Sequence, residues 1–209
     1  MSSTSDRVSD PFRDPTRPHV ARRAFTSRTL LSLLLILATV NVLMFAVQRW
    51  FFVPLRVPSA SMEPNLRNGD RILVQRTWSS TSELAKRIDR GDVLVFRAPE
   101  DRHPLVVKRV IGLPGETIQA VDGQIAINNE TLLDEKWLPE AERDASSASA
   151  QTVDIELTQI DGDEVYVLGD NRDQSIDSRS FGPVRLDDVV GTVAVRFLPF
   201  DRFGTVDWE

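Results

Sequence analysis

The most uniform hydrophobic stretch of the chain lies near its start. Residues 29–47 read TLLSLLLILATVNVLMFAV, 19 positions without a charged residue. As a helix this run spans roughly 28 Å, close to the hydrocarbon thickness of a bilayer. The pattern predicts one transmembrane helix, with a cleaved signal peptide and a buried core helix as alternatives. The length of the run and the bulky QRWFF that follows it favour an uncleaved anchor, and its apolarity on every side argues against a core helix.

Beyond this run the pattern changes to short apolar stretches rich in β-branched residues and bounded by Gly, Pro or Asp. Such stretches predict strands. They fall at residues 71–78, 92–98, 105–113, 117–128, 163–170 and 189–200. Strands do not alternate with long helical patterns, so the predicted fold class is mainly β, an antiparallel β domain preceded by one N-terminal transmembrane helix.

Three local signals lie between these strands. Asp122-Gly123 predicts a type I′ hairpin turn. Residues 79–88 predict a short helical turn capped by Ser80, with Glu83 three positions later. The Ser/Ala-rich residues 142–151 predict a solvated loop.

The charges on the two sides of the apolar run predict its orientation. Residues 1–28 carry six Arg against three Asp, which predicts a cytoplasmic N-terminus and an extracytoplasmic remainder at the plasma membrane. We therefore expect a disordered tail at 1–28, a helix at 29–47 and an outer domain at 48–209. Subtracting the +3 of the tail from the chain's −6 leaves −9 on the outer domain, a charge that disfavours nucleic acid as a partner.

Composition narrows the chemistry that the outer domain can perform. The chain has no Cys and only two His, one of them (His19) in the tail and the other (His103) in the charged stretch EDRHP. Disulfides and thiolate zinc sites are excluded, a His-based triad is disfavoured, and no metal or cofactor is predicted.

A lysine remains as a candidate base. Lys108 lies in LVVKRVIGL, one of only three Lys in the chain, and strand alternation puts it on the face of Val106 and Val110, with Arg109 on the other. A Lys takes a proton from a Ser only when it is neutral, which requires burial to lower its pKa. The alternative is a charged residue that protects a sheet edge from aggregation.

Two polar segments could supply the nucleophile and its support. VPSASMEPNL (57–66) holds Ser59 and Ser61 between Pro58 and Pro64, and its hydroxyls could serve as nucleophile and oxyanion donor. GDNRDQSIDSRSFG (169–182) packs charged residues after an apolar strand. Taken alone, the first segment is a Ser-rich turn and the second a solvated loop.

These segments together resemble bacterial signal peptidase I, the membrane-bound Ser-Lys endopeptidase family. The resemblance lies in four ordered blocks that, with the anchor and the strands between them, cover nearly everything from about residue 29 onward. The blocks read PSASMEPNL, RGDVLVF (90–96), VVKRVIGLPGE (106–116) and GDNRDQSIDSRSFG. It implies the signal-peptidase β fold, and a protease that removes signal peptides from exported preproteins after Ala-x-Ala-like sequences.

The roles of the family's residues follow from these blocks. The resemblance implies that Ser61 is the nucleophile, Lys108 the general base, Ser59 a support of the oxyanion hole and Ser175 the residue that orients the base. It implies a bracing charged network at Asp170, Asp177 and Arg179. It implies small S1 and S3 pockets at Leu55, Val57, Met62, Leu66, Val106 and Val107.

The expected partners are signal peptides that emerge from the export machinery, and the lipid bilayer. Departures from the family pattern are Gln174 in place of a commoner Asn, and Glu63 and Asn65 beside the serine segment. Two alternatives stay open: a self-cleaving SOS repressor, which would need a DNA-binding domain in place of the apolar run, and a non-enzymatic anchored β module.

Overall fold

The structure is a computed structural model that describes residues 27–77, 79–98, 105–121, 124–132, 134–138 and 154–206. The chain divides into two compact units, residues 1–45 and residues 46–209. Helix α1 (Ser27–Phe51) contains the whole of the predicted transmembrane run. Within the described residues it is the one helix long and apolar enough to cross a membrane.

The second unit consists mainly of strands. Among the described residues these are β1 (Phe52–Arg56), β2 (Arg71–Arg76), β3 (Val93–Phe96), β4 (Val106–Gly112), β5 (Thr117–Val121), β6 (Gln124–Ile127), β7 (Thr131–Leu132), β8 (Ile155–Gln159), β9 (Glu164–Leu168), β10 (Val184–Arg185) and β11 (Val189–Leu198). Two short helices accompany them, α2 (Thr81–Ala85) and α3 (Ser178–Phe181), as do 3₁₀ turns at Arg172–Gln174, Leu186–Asp188 and Phe200–Arg202.

The strands form two antiparallel sheets. The larger has the order β1-β2-β11-β3-β4-β9-β10 and the smaller the order β7-β6-β5-β8. The mainly β, antiparallel fold class is therefore confirmed, and each of the six predicted stretches contains at least one observed strand.

Strand β4 alternates as predicted. It pairs with β3 so that Lys108 lies opposite Leu94 and Arg109 opposite Val93. Val106 and Val110, the neighbours of Lys108 on its face, pack in the apolar cluster that includes Leu94, whereas Val93 belongs to a different cluster. The two charged side chains therefore leave the strand in opposite directions.

Two features of the fold differ from the sequence predictions. Strand β1 was not predicted because it contains Pro54, which interrupts the strand pattern; the edge position of β1 tolerates a residue without an N–H. Ser80 precedes α2, but its side chain makes no capping hydrogen bond and instead lies 3.2 Å from the Ser82 hydroxyl, so the predicted capping box is wrong. The predictions for the tail (1–26), His103, the Asp122-Gly123 turn and the loop 142–151 fall outside the described residues.

We predict that Gly191→Ala destabilises the fold. A Cβ at Gly191 in β11 would lie 2.1 Å from the carbonyl oxygen of Gln75 in the paired strand β2, and two backbones of one sheet cannot separate locally without losing their pairing. Overpacking of this kind typically lowers the free energy of unfolding by about 2–3 kcal/mol.

Urea unfolding of the full chain in detergent, followed by tryptophan fluorescence, measures this loss. Gly162→Ala is the matched control, since a Cβ there meets nothing within 4 Å. Equal unfolding midpoints for the two variants would contradict the prediction.

Candidate active site

Ser61 lies in a loop of residues 57–70 that joins the edge strand β1 to its neighbour β2, called here the serine loop. Backbone hydrogen bonds from Val57 N–H to the Asp70 carbonyl and from Gly69 N–H to the Val57 carbonyl, both 2.9 Å, close its base. Apolar side chains anchor it in the core, namely Val57, Met62 and Leu66, each at most 1% exposed. Ser61 is thus held on a short loop that is fastened at both ends.

Lys108 of β4 reaches the serine loop directly. Its Nζ donates a hydrogen bond to Ser61 Oγ at 2.5 Å, and both residues are buried, with exposed fractions of 4% and 6%. Ser59 Oγ lies 3.2 Å from Ser61 Oγ. The structure therefore brings together Ser59, Ser61 and Lys108, three of the residues singled out in the sequence. Ser61 and Lys108 are 47 residues apart along the chain.

The surroundings of Lys108 favour its neutral form. Burial lowers the pKa of its amine from 10.5 to about 8, against the charges of Asp177 and Asp170, which raise it, while the Arg179 charge lowers it further. An amine with this pKa is neutral in a substantial fraction of molecules near pH 8. Lys108 can then accept a proton from the hydroxyl that it contacts.

Asp177 and Arg179 form one part of the predicted charged network. Asp177 is fully buried, and its carboxylate accepts bonds of 2.8 and 2.9 Å from the Arg179 guanidinium and one of 3.0 Å from Gly169 N–H. Burial raises the pKa of Asp177, but the hydrogen bonds and charge of Arg179, together with the Gly169 N–H, hold it below its ordinary value. The lowered pKa of Asp177 favours its charged carboxylate.

The other predicted network residue, Asp170, pairs with Arg109, a residue without a predicted role. Arg109, fully buried, donates to both Asp170 oxygens at 2.8 Å. Asn65 of the serine loop donates to the same carboxylate at 2.8 Å. Because Arg109 directly follows Lys108, this ion pair fixes the lysine strand against the serine loop. The KR pair in an apolar run was the one sequence signal that could have indicated it.

Ser175 lies close to the backbone of the nucleophile. Its Oγ is buried, and its hydroxyl helps to hold the pKa of Asp177 below its ordinary value. It packs on Gly169, where an added Cβ would lie 2.2 Å from Ser175 Oγ and 2.5 Å from the Ser61 carbonyl oxygen. Gly169 is therefore required here by close approach, and an orienting role for Ser175 stays a prediction.

A mainly apolar cavity of about 480 Å³ opens beside Ser61 and Lys108. Of the six predicted pocket residues, Val57, Met62, Val106 and Val107 line it, together with Pro58, Ser59, Ala98, Leu105, Gln174, Ile176, Ser180 and Phe181, which the sequence did not single out as pocket residues. Leu55 and Leu66 do not line it; they pack in the apolar cluster behind the serine loop. The mainly apolar lining of the cavity suits apolar groups.

The arrangement provides a nucleophilic hydroxyl, a base of lowered pKa and an adjacent apolar cavity. These are the parts needed for acyl transfer through a serine ester. In the ranges that the structure describes, no group of three or more His, Asp or Glu side chains is placed to hold a metal ion.

Comparison with known proteins decides the family. The family model for signal peptidase, peptidase S26, matches residues 30–198. The chain belongs to the signal peptidase family, peptidase S26. The family resemblance found in the sequence is thereby confirmed, and both alternatives, the self-cleaving repressor and the non-enzymatic module, are set aside.

Individual members of the signal peptidase family match most of the chain. Signal peptidase I V of Bacillus subtilis (strain 168) is 35% identical over 73% of this chain and 90% of its own length. Signal peptidase IB of Staphylococcus aureus (strain Mu50) is 32% identical over 84% of this chain and 93% of its own. A crystal structure of a signal peptidase I from Enterococcus faecalis V583 is 36% identical and covers 50% of this chain and 95% of that one, with a TM-score of 0.44.

Membership of the signal peptidase family establishes the class of activity. The chain is a hydrolase, a serine endopeptidase of signal-peptide processing.

Proposed function

We propose that this signal peptidase is a membrane-anchored enzyme that uses a Ser61–Lys108 dyad to remove signal peptides after Ala-x-Ala-like sequences. The observation that carries the proposal is the 2.5 Å hydrogen bond from Lys108 Nζ to Ser61 Oγ, buried at one side of an apolar cavity. No cofactor enters the reaction.

The first half-reaction forms an acyl-enzyme. Neutral Lys108 takes the proton of the Ser61 hydroxyl as Oγ attacks the carbonyl carbon of the residue before the scissile bond. The tetrahedral intermediate collapses as the lysine ammonium returns that proton to the leaving amine. The signal peptide is then held as an ester on Ser61, and the mature protein leaves with a free N-terminus.

The second half-reaction releases the signal peptide. Lys108, neutral again, takes a proton from a water molecule that attacks the ester carbonyl, and then returns the proton to Ser61 Oγ. Ser59 is the proposed donor to the oxyanion of both intermediates, with the backbone N–H of Ser61 as the second donor. The proximity of the two hydroxyls, 3.2 Å apart, supports this role.

The substrate is proposed to bind as an added strand beside β4. In the described pairings, β9 contacts β4 only from Arg109 onward, so Val106 to Lys108 have a paired strand on the β3 side alone. An extended peptide can use the free backbone groups of this stretch. Its small side chains would enter the cavity lined by Val57, Met62 and Val107, which supports a preference for Ala before the cleavage site.

The helix α1 is the proposed anchor. Its residues Ser27–Ala46 suit a single span by length and mean hydropathy, and the Arg excess of residues 1–28 supports a cytoplasmic N-terminus with an extracytoplasmic protease domain. Signal peptides cross the same bilayer, so tethering the protease raises its local concentration at their cleavage sites. Signal peptides leaving the export machinery are thus its proposed partners.

We predict that Ser61→Ala and Lys108→Ala abolish cleavage of a purified preprotein while the domain stays folded, since each removes one member of the dyad. Ser59→Ala should lower kcat about 100-fold, the usual cost of one oxyanion donor. Gel electrophoresis measures the cleavage, and mass spectrometry of the product N-terminus checks that the cut follows Ala-x-Ala. Lys86→Ala, which removes a Lys with a 71% exposed side chain, is the control and should be fully active. Wild-type turnover by Lys108→Ala would exclude the dyad.

The pH dependence should follow the lysine. Only neutral Lys108 can act as a base, so kcat/KM should rise with pH to a plateau above the lysine pKa of about 8. Below that value it should fall about tenfold per pH unit, reaching roughly 1% of the plateau at pH 6. Initial rates between pH 6 and 10 with subsaturating substrate measure this limb; a profile that is flat from pH 6 to 9 would count against Lys108 as the base.

The proposed orientation predicts which side of the membrane exposes the enzyme. Protease added to intact spheroplasts should digest residues 48–209 and leave a protected N-terminal fragment, because only the N-terminal tail would face the cytoplasm. Immunoblotting with tags at either end reports the fragments. Protection of the C-terminal tag until the cells are lysed would contradict the proposed topology.

A further inference from the structure

A short segment outside the four sequence blocks contacts three of them. It consists of residues 134–138, with the sequence DEKWL, and follows β7 of the small sheet. It is called here the DEKWL segment. Its residues Glu135, Trp137 and Leu138 are buried, whereas the side chain of Lys136 between them is 76% exposed. The segment therefore turns the side chains of Glu135, Trp137 and Leu138 to the inside of the protein and that of Lys136 to solvent.

Glu135 holds the block that follows β9. Its carboxylate accepts two hydrogen bonds from the Arg172 guanidinium, that from Nη1 being 3.1 Å. Arg172 Nε in turn donates to the Gly169 carbonyl at 2.9 Å, and the Arg172 carbonyl accepts from Arg179 at 2.7 Å. The buried Glu135–Arg172 pair thus fixes both ends of the backbone stretch that carries Asp170.

This stretch in turn touches the nucleophile. Asn171 N–H donates to the Ser61 carbonyl at 3.1 Å, and its side-chain amide donates to the Ala60 carbonyl at 3.3 Å. A displacement of the stretch would therefore be passed to Ser61 through direct hydrogen bonds.

Trp137 contacts the lysine strand β4 and the serine loop. Its ring lies 5.7 Å from the Arg109 guanidinium, a cation–π contact beneath the Arg109–Asp170 ion pair. Its backbone carbonyl accepts a 3.0 Å hydrogen bond from Asn65 of the serine loop. Its indole N–H is buried with no acceptor among the described residues, so the ring acts through its face and not through its N–H.

We propose that Glu135 and Trp137 are positioning residues, and that the DEKWL segment holds the serine loop, the lysine strand and the block after β9 in the register that keeps Lys108 on Ser61. The inference rests on the proposed dyad. Neither residue lines the cavity, so both act on the alignment of the reacting groups and not on substrate binding. A misplacement of about 1 Å can cost about 100-fold in rate.

The test compares kcat and KM of full-length variants in detergent on one preprotein. Glu135→Gln and Trp137→Leu are expected to lower kcat about tenfold with KM within about twofold, by the sensitivity of catalysis to alignment. Trp137→Phe keeps an aromatic face under Arg109 and loses no hydrogen bond, so it should retain most of the wild-type kcat. Lys136→Gln, in the same segment but exposed, is the matched control and should be unchanged.

Circular dichroism and an unfolding curve for each variant separate positioning from stability. Rates are measured well below every unfolding midpoint and divided by the folded fraction. Should Glu135→Gln not fold, Glu135→Asp, which keeps the charge on a side chain one methylene shorter, takes its place with the same expected direction. Activity lost only in proportion to the folded fraction, or an equal kcat for Trp137→Leu and Trp137→Phe, overturns the inference.

The wild type and Lys136→Gln decide which hypothesis fails. If both cleave the preprotein and the Glu135 and Trp137 variants match them, the positioning role alone is overturned. If the wild type does not cleave, the proposed function is contradicted, and so is the inference that rests on it.

Discussion

The contact between Lys108 and Ser61 depends on keeping water away from an amine. In water a lysine is charged at every physiological pH and donates hydrogen bonds without accepting protons. Burial weakens this preference by lowering the pKa of Lys108 to about 8, and it does so in spite of two carboxylates, Asp170 and Asp177, whose charges raise that pKa. The site therefore needs those carboxylates to be neutralised by partners of their own.

The arginines supply that neutralisation. Arg109 pairs with Asp170 in the interior, and the partly exposed Arg179 pairs with the buried Asp177. A buried ion pair contributes little net stability, yet losing one partner is costly because it leaves an unpaired charge. Such pairs fix the relative positions of the elements that they join. They connect the elements around Ser61 with directional bonds that apolar packing alone cannot provide, and the Glu135–Arg172 pair extends the same principle to the small sheet.

The sequence predicted what is local or periodic. Apolar alternation located the strands, and a lysine within one of them, beside two serines and a turn-rich acidic block, indicated the residues that meet in the site. It missed features fixed by contacts between distant parts of the chain. Arg109 pairs with Asp170, which lies 61 residues away in the sequence, and Asn65 contacts Trp137, which lies 72 residues away. The Ser80 cap was wrong for a local reason, since the Ser80 hydroxyl lies against the Ser82 hydroxyl and makes no capping bond to the backbone of α2.

The strand order of the large sheet also determines when the active site can assemble. The serine loop connects β1 and β2, and Lys108 lies on β4, but the strand between these two halves of the sheet is β11, which follows both of them in the sequence. Until Val189–Leu198 is inserted, β2 and β3 have no common neighbour. The sheet that carries the nucleophile and the sheet that carries the base become one only when the last strand arrives. Assembly of the active site thus waits for a strand that follows both of its reacting residues in the sequence.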